Sequence, residues 1–120
     1  MPKNFSFSHL ENELAAELRE KVSTSEDVTD LKNHFSYSVI RLLKRVLPET
    51  VRLNQRDVTF VPEAENHLQI NPQLLKQPEM QEVLRNTDLS QVMARFALAA
   101  NKRFLHLQKN TRKTKLKIRK

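Results

Sequence analysis

A predominantly α-helical (α+β) domain is predicted, with about four helices and a small antiparallel β-hairpin inserted between the second and third main helices. Three observations lead there. Glycine is absent from all 120 residues, which removes the residue best suited to positive-φ turns and leaves Asn, Asp and Pro to join the elements. Apolar residues recur at spacings of three and four over 10–47 and again over 89–107, the period of helices with one buried face. Between these stretches, Val51 and Leu53 alternate, Val58-Thr59-Phe60-Val61 is β-branched and aromatic, and Leu68 and Ile70 alternate again, which is strand patterning.

The first helix begins at Ser8, where Ser8 and Glu11 have the S-x-x-E spacing of a capping box. Leu10, Leu14, Leu18 and Val22 then recur every fourth residue, with Ala15 beside them. This is a narrow apolar stripe on an acidic helix. Phe5 and Phe7 precede it and are expected to pack back onto the core. Ser23, Thr24 and Ser25 end the helix, and Thr24 with Asp27 is expected to cap the next.

The second helix carries Val28, Leu31, Phe35, Val39, Leu42 and Val46, with Ile40, Leu43 and Leu47 widening the stripe towards its end. Such a wide apolar arc marks a central helix. Arg41, Lys44 and Arg45 fall in the last turns, where cations complement the helix dipole. Pro48 stops the helix.

Val51 and Leu53 alternate, residues 54–57 form a turn, 58–61 a strand, 62–66 a polar loop, and Leu68 and Ile70 a further strand. The expectation is a hairpin or three-stranded meander, too short to stand without helices behind it. Asn71-Pro72 places an N-cap before a proline at the first helical position. A short helix follows through Lys76, and Pro78 restarts or kinks it, with Met80, Val83 and Leu84 as contacts. Residues 86–88 turn the chain, and Asp88 with Gln91 starts the last helix. That helix is expected to run from Leu89 to about Gln108. Its buried face is Leu89, Val92, Met93, Phe96, Ala97, Ala100, Phe104 and Leu107, and its alanines favour helix and close packing.

Charge divides the chain differently. There are 21 Lys and Arg against 14 Asp and Glu, a net charge of +7. Lys109, Arg112, Lys113, Lys115, Lys117, Arg119 and Lys120 supply seven of those cations in the last twelve residues, so 1–108 hold 21 − 7 = 14 cations against the same 14 acids. The predicted organisation is one compact helical domain, 1–108, followed by a flexible basic tail, 109–120.

Composition also removes several chemistries. With no cysteine, disulfides, thiolate metal sites and cysteine nucleophiles are impossible. Without glycine, P-loop and dinucleotide-binding loops are excluded in their usual form. The stretch MPKNFSFSHLENE lacks an apolar signal region, and no run approaches the roughly twenty apolar residues of a membrane span. A soluble cytoplasmic protein is expected.

The remaining candidates rank by how many residues carry them. Lys and Arg neutralise phosphates and release counterions, so the tail suits nucleic acid or another polyanion. Arg95, Lys102 and Lys109 are seven apart and share one side of the last helix, with Gln91 before them and Arg103 extending the basic surface. The helix–turn–helix alternative places Ser90, Gln91, Ala94 and Arg95 in a groove, but its turn has no glycine. His9 and Glu13 are the one helical pair with ligand spacing. No second histidine joins them, so no metal is assigned. Glu63, Glu65 and His67 are the best acid–base group, yet equally an ordinary hydrated loop. No catalytic residue or cofactor is assigned. The expected function is a non-enzymatic binding or adaptor protein with a basic arm for nucleic acid or a ribonucleoprotein. The alternative is a protein–protein interaction subunit, as a homo-oligomer or with another partner. It would act through the helical surface, with the stripe of Leu10, Leu14 and Leu18 as the docking face.

Overall fold

A computed structural model describes the backbone of residues 8–118 and the side chains of 9–109. Phe5 and Phe7, expected to pack on the core, lie outside the described residues. In chain order the elements are α1 (Ser8–Ser23), α2 (Val28–Val46), β1 (Val58–Phe60), β2 (Leu68–Ile70), α3 (Pro72–Leu75), α4 (Pro78–Asn86) and α5 (Leu89–Ile118), with 3-10 turns at Gln55–Asp57 and Glu65–His67. Helices α1, α2 and α5 pack against one another, and the hairpin lies against α2. The strands are antiparallel, pairing Val58 with Ile70, Thr59 with Gln69 and Phe60 with Leu68. The predicted α-rich architecture with its inserted hairpin is present. Pro78 separates two helices, which makes five.

The stripes do what their spacing demands. From α2, Leu31, Phe35, Val39, Leu42 and Leu43 are wholly buried, which makes it the central helix. From α1, Leu14, Leu18 and Val22 are buried, and α5 adds Leu89, Val92, Met93, Phe96, Ala97 and Ala100. Phe60 ties the hairpin in. Its ring centroid is 5.9 Å from that of Phe35 on α2 and 5.8 Å from that of Phe104 on α5, within the range of tilted and edge-on aromatic pairs. Beside it, the buried Ser36 hydroxyl donates to the Val58 carbonyl at 2.7 Å, so the polar groups facing each other across α2 and β1 are satisfied.

Turns are made without glycine, by side chains. At the end of α1 the Ser23 hydroxyl donates to the Glu20 carbonyl, and those of Thr24 and Ser25 both donate to the Lys21 carbonyl, at 2.8, 3.0 and 3.0 Å. These bonds satisfy carbonyls that a left-handed glycine cap would otherwise serve. Because the Ser25 proton goes to Lys21, the 2.8 Å contact with His34 has the ring Nδ1–H donating to Ser25 Oγ. In the hairpin loop Asn66 and His67 take φ of 60° and 63°. Asn tolerates this region better than most residues, and the His67 ring is held by donating Nδ1–H to the Pro62 carbonyl at 2.9 Å. Buried Asp57 accepts from the Asn54 amide at 2.8 Å and from the Asn71 side chain at 3.1 Å, bracing both ends of the hairpin.

Several local expectations are corrected. Asp27 itself caps α2, accepting from the Asp30 amide at 2.8 Å. Thr24 closes α1 instead, because its hydroxyl reaches back one turn. Residues 51–53 form no strand, so the sheet is a two-stranded hairpin. At the start of α5 the Thr87 hydroxyl also accepts from the Leu89 amide, at 3.2 Å. The largest difference is the length of α5. It continues past Gln108 to Ile118. Residues 109–118 contain neither Gly nor Pro, Lys and Arg are good helix formers, and cations suit a helix C-terminus.

Candidate nucleic-acid interface

Helix α5 is the natural place to look for an anion-binding surface, since none of its 30 residues is acidic. The seven-residue spacing keeps its promise geometrically. Arg95, Lys102 and Lys109 all lie on the exposed side, opposite the face that carries Phe96 and Ala100. They are not equivalent. Arg95 grips Glu11 of α1 with two parallel hydrogen bonds, Nε to Oε2 at 2.5 Å and Nη2 to Oε1 at 2.7 Å. The Glu11 side chain is 14% exposed beneath an Arg95 side chain that stays 53% exposed. That hydrogen bond, reinforced by the charges of Glu11 and Asp88 and only partly opposed by desolvation, raises the Arg95 pKa above its ordinary value. Its charge is therefore permanent, but already matched.

Arg103 does not extend the exposed track. It turns inward, and Nη2 donates to the Ser25 carbonyl at 2.8 Å, while its Nε is buried with no partner among the described residues. Ser25 follows the C-terminus of α1, where the helix dipole favours a cation. Arg103 also sits seven residues after buried Phe96, and that spacing alone assigns it to the inner side of α5. Of the nominated body residues, Lys102 stays exposed with no ion pair among the described residues. So does Lys109, at the head of the nominated arm. Arg112, Lys113, Lys115 and Lys117 follow on the α5 backbone, while Arg119 and Lys120 lie outside the described residues.

A second basic feature was not legible in the sequence. Between α2 and β1 a cleft of about 500 Å³ is lined by Lys32, Asn33, Gln55, Arg56, Thr59 and Phe60, among others. Lys32 and Arg56 are exposed at its edges, and neither is ion-paired among the described residues. They are 24 positions apart and come to one cleft through the packing of β1 on α2, where Phe35 meets Phe60 and Ser36 bonds Val58. Phe60 forms part of the lining and packs on Phe104, about one turn before Lys109, so the cleft adjoins the helix that carries the basic arm.

Other candidates dissolve into local structure. Leu14 and Leu18, proposed as a docking stripe, are buried in this chain's own core. Two acids of α1 pair with α2 at the surface: Glu17 accepts from Arg41, and Glu13 lies 4.0 Å from Arg45. Tyr37 is partly exposed, but its ring already receives Lys21 at 4.9 Å and Arg41 at 5.7 Å. His67 is turned to a backbone carbonyl, and Glu63 and Glu65 stand in solvent. Among the described residues no group of three His, Asp or Glu side chains could hold a metal ion, and no helix is long and apolar enough to cross a membrane. In the helix–turn–helix reading, Arg95 would face a groove, yet it is held by α1.

Comparison with protein-family models, with curated proteins and with solved structures finds no match to this chain.

Proposed function

We propose that this protein is a non-enzymatic binding or adaptor protein, acting in the cytoplasm, whose basic arm engages a polyanion, nucleic acid or a ribonucleoprotein. One observation carries the reading. Helix α5 continues beyond Leu107, the last buried residue among those described, and from there its sequence holds Lys109, Arg112, Lys113, Lys115 and Lys117 with no acid among them. A helical arm holds its charges in fixed spacing, so less ordering entropy is lost on binding than for a coil. Lys102 extends this surface along α5, and Lys32 and Arg56 offer a second patch beside it. Arg95 and Arg103 are assigned instead to holding α1.

The test is fluorescence anisotropy with labelled RNA and duplex DNA. The full chain is compared with a variant in which Arg112, Lys113, Lys115 and Lys117 are changed to Gln. The reading predicts binding that weakens steeply with salt and a markedly weaker variant. Equal and feeble binding by both proteins would refute it.

A further inference from the structure

The polyanion reading leaves one feature of α5 unexplained. Among the described residues, Leu98 and Leu105 are the most exposed large hydrophobic side chains, at 48% and 52%. They are seven residues apart, about 10 Å along the axis, and lie opposite the buried face of Phe96 and Ala100. Scattered surface leucines need no explanation, but these two belong to a line. Gln91, Arg95, Leu98, Lys102, Leu105 and Lys109 succeed one another at spacings of four and three, and all are exposed. Leu98 and Leu105 supply one heptad position of a helix-packing seam, and Lys102 and Lys109, four residues after each leucine, flank it as charged e positions flank such a seam.

We propose that the seam is a docking surface for an acidic amphipathic helix of a partner protein. Apolar residues of the partner cover Leu98 and Leu105, and its carboxylates meet Lys102 and Lys109. Charge selects this occupant. Helix α5 has no acid, so a second copy pairing through the same seam sets Lys102 and Lys109 against like charges in either orientation. Arg95 is already matched by Glu11. A lipid surface fits poorly, because interfacial binding scales with the apolar area buried and two half-exposed leucines supply little of it. Phosphates make no use of leucine side chains. The surface goes beyond the polyanion reading and stands without it.

The experiment uses the full chain and two fluorescein-labelled synthetic peptides. One is an acidic helix with leucines at heptad spacing flanked by glutamates, and the other is a scramble of identical composition. At about 0.3 M salt, where exposed charge attraction is largely screened, the seam peptide is expected to bind more tightly than the scramble. A Leu98→Ser, Leu105→Ser variant with unchanged circular dichroism is expected to lose about thirtyfold of that binding, five- to tenfold for each half-exposed leucine. Its duplex-DNA salt slope should stay unchanged. Equal binding of both peptides, or indifference to the two serines, overturns the proposal. So does leucine-dependent binding to phosphatidylcholine–phosphatidylserine vesicles in place of the peptide, which assigns the face to lipid. Leucine-dependent dimers in sedimentation overturn it in favour of a second copy.

Discussion

Replacing Glu11 with Gln should make this protein a better polyanion binder. In the folded chain Arg95 lies on the exposed side of α5, in line with Lys102 and Lys109, but its charge is matched by the Glu11 carboxylate through two hydrogen bonds. A phosphate approaching Arg95 therefore meets a neutral pair. Glu11→Gln removes the negative charge and keeps one amide oxygen as an acceptor, so the arginine stays placed and becomes a free cation. Each added phosphate contact on duplex DNA steepens the log–log salt slope by about 0.9, which at 0.1 M salt is roughly a five- to tenfold gain in affinity. The cost to folding should be about 1–2 kcal/mol, because the pair is bidentate and Glu11 is largely covered, while Arg95 is half exposed and Gln keeps one acceptor. Anisotropy titrations on duplex DNA from low to moderate salt give the slope, and urea denaturation gives the stability. Adding Arg95→Gln to Glu11→Gln should return the slope to its starting value. A Glu11→Gln slope equal to that of the unmodified protein would refute the claim that this face of α5 meets phosphates.

Further predictions concern the body. Phe60→Ala should lose about 3–5 kcal/mol in urea denaturation, since a fully buried ring bridging α2 and α5 leaves a cavity. Leu18→Ala should lose about 2–5 kcal/mol for the same reason, as expected of a core residue rather than a docking residue. Arg103→Met should cost about 1–3 kcal/mol by stripping the Ser25 carbonyl of its donor, with no change in the DNA salt slope. Lys32→Gln and Arg56→Gln together should leave stability within about 0.5 kcal/mol. They should flatten the slope by up to about two units if the cleft takes phosphates.

Much of the scaffold was legible because single residues carried the signals. Four-residue leucine spacing predicted the buried face of α1, Pro48 the end of α2, and Asn71-Pro72 the start of α3, since each acts over one or two helical turns. What escaped was set by contacts distant in sequence, or by a choice between neighbours competing for one role. Glu11 looked like a capping partner, and only the packing of α1 against α5 reveals its pairing with Arg95, 84 positions away. Thr24 and Asp27 each suit a cap, and the structure gives one helix end to each. Lys32 and Arg56 carry no shared period and meet only in the tertiary fold. Arg103 was readable in principle, because its seven-residue offset from Phe96 opposes its membership of the exposed track. The helical course of 109–118 was obscured by charge density, which suggested a mobile arm although no residue there breaks a helix.

The central claim, that the basic end of α5 is a polyanion-binding arm, is tested most directly by the salt dependence of duplex-DNA binding for residues 1–120 against residues 1–108. The truncation keeps Leu107 and every residue of the described core. It removes seven cations. If all seven meet phosphates the log–log slope falls by about six units, and if about half do, by about three. A phosphate-binding arm gives a fall in that range, with both proteins folded by circular dichroism. Identical slopes and equally weak affinities for the two proteins would contradict the central claim and leave the arm without a phosphate-binding role.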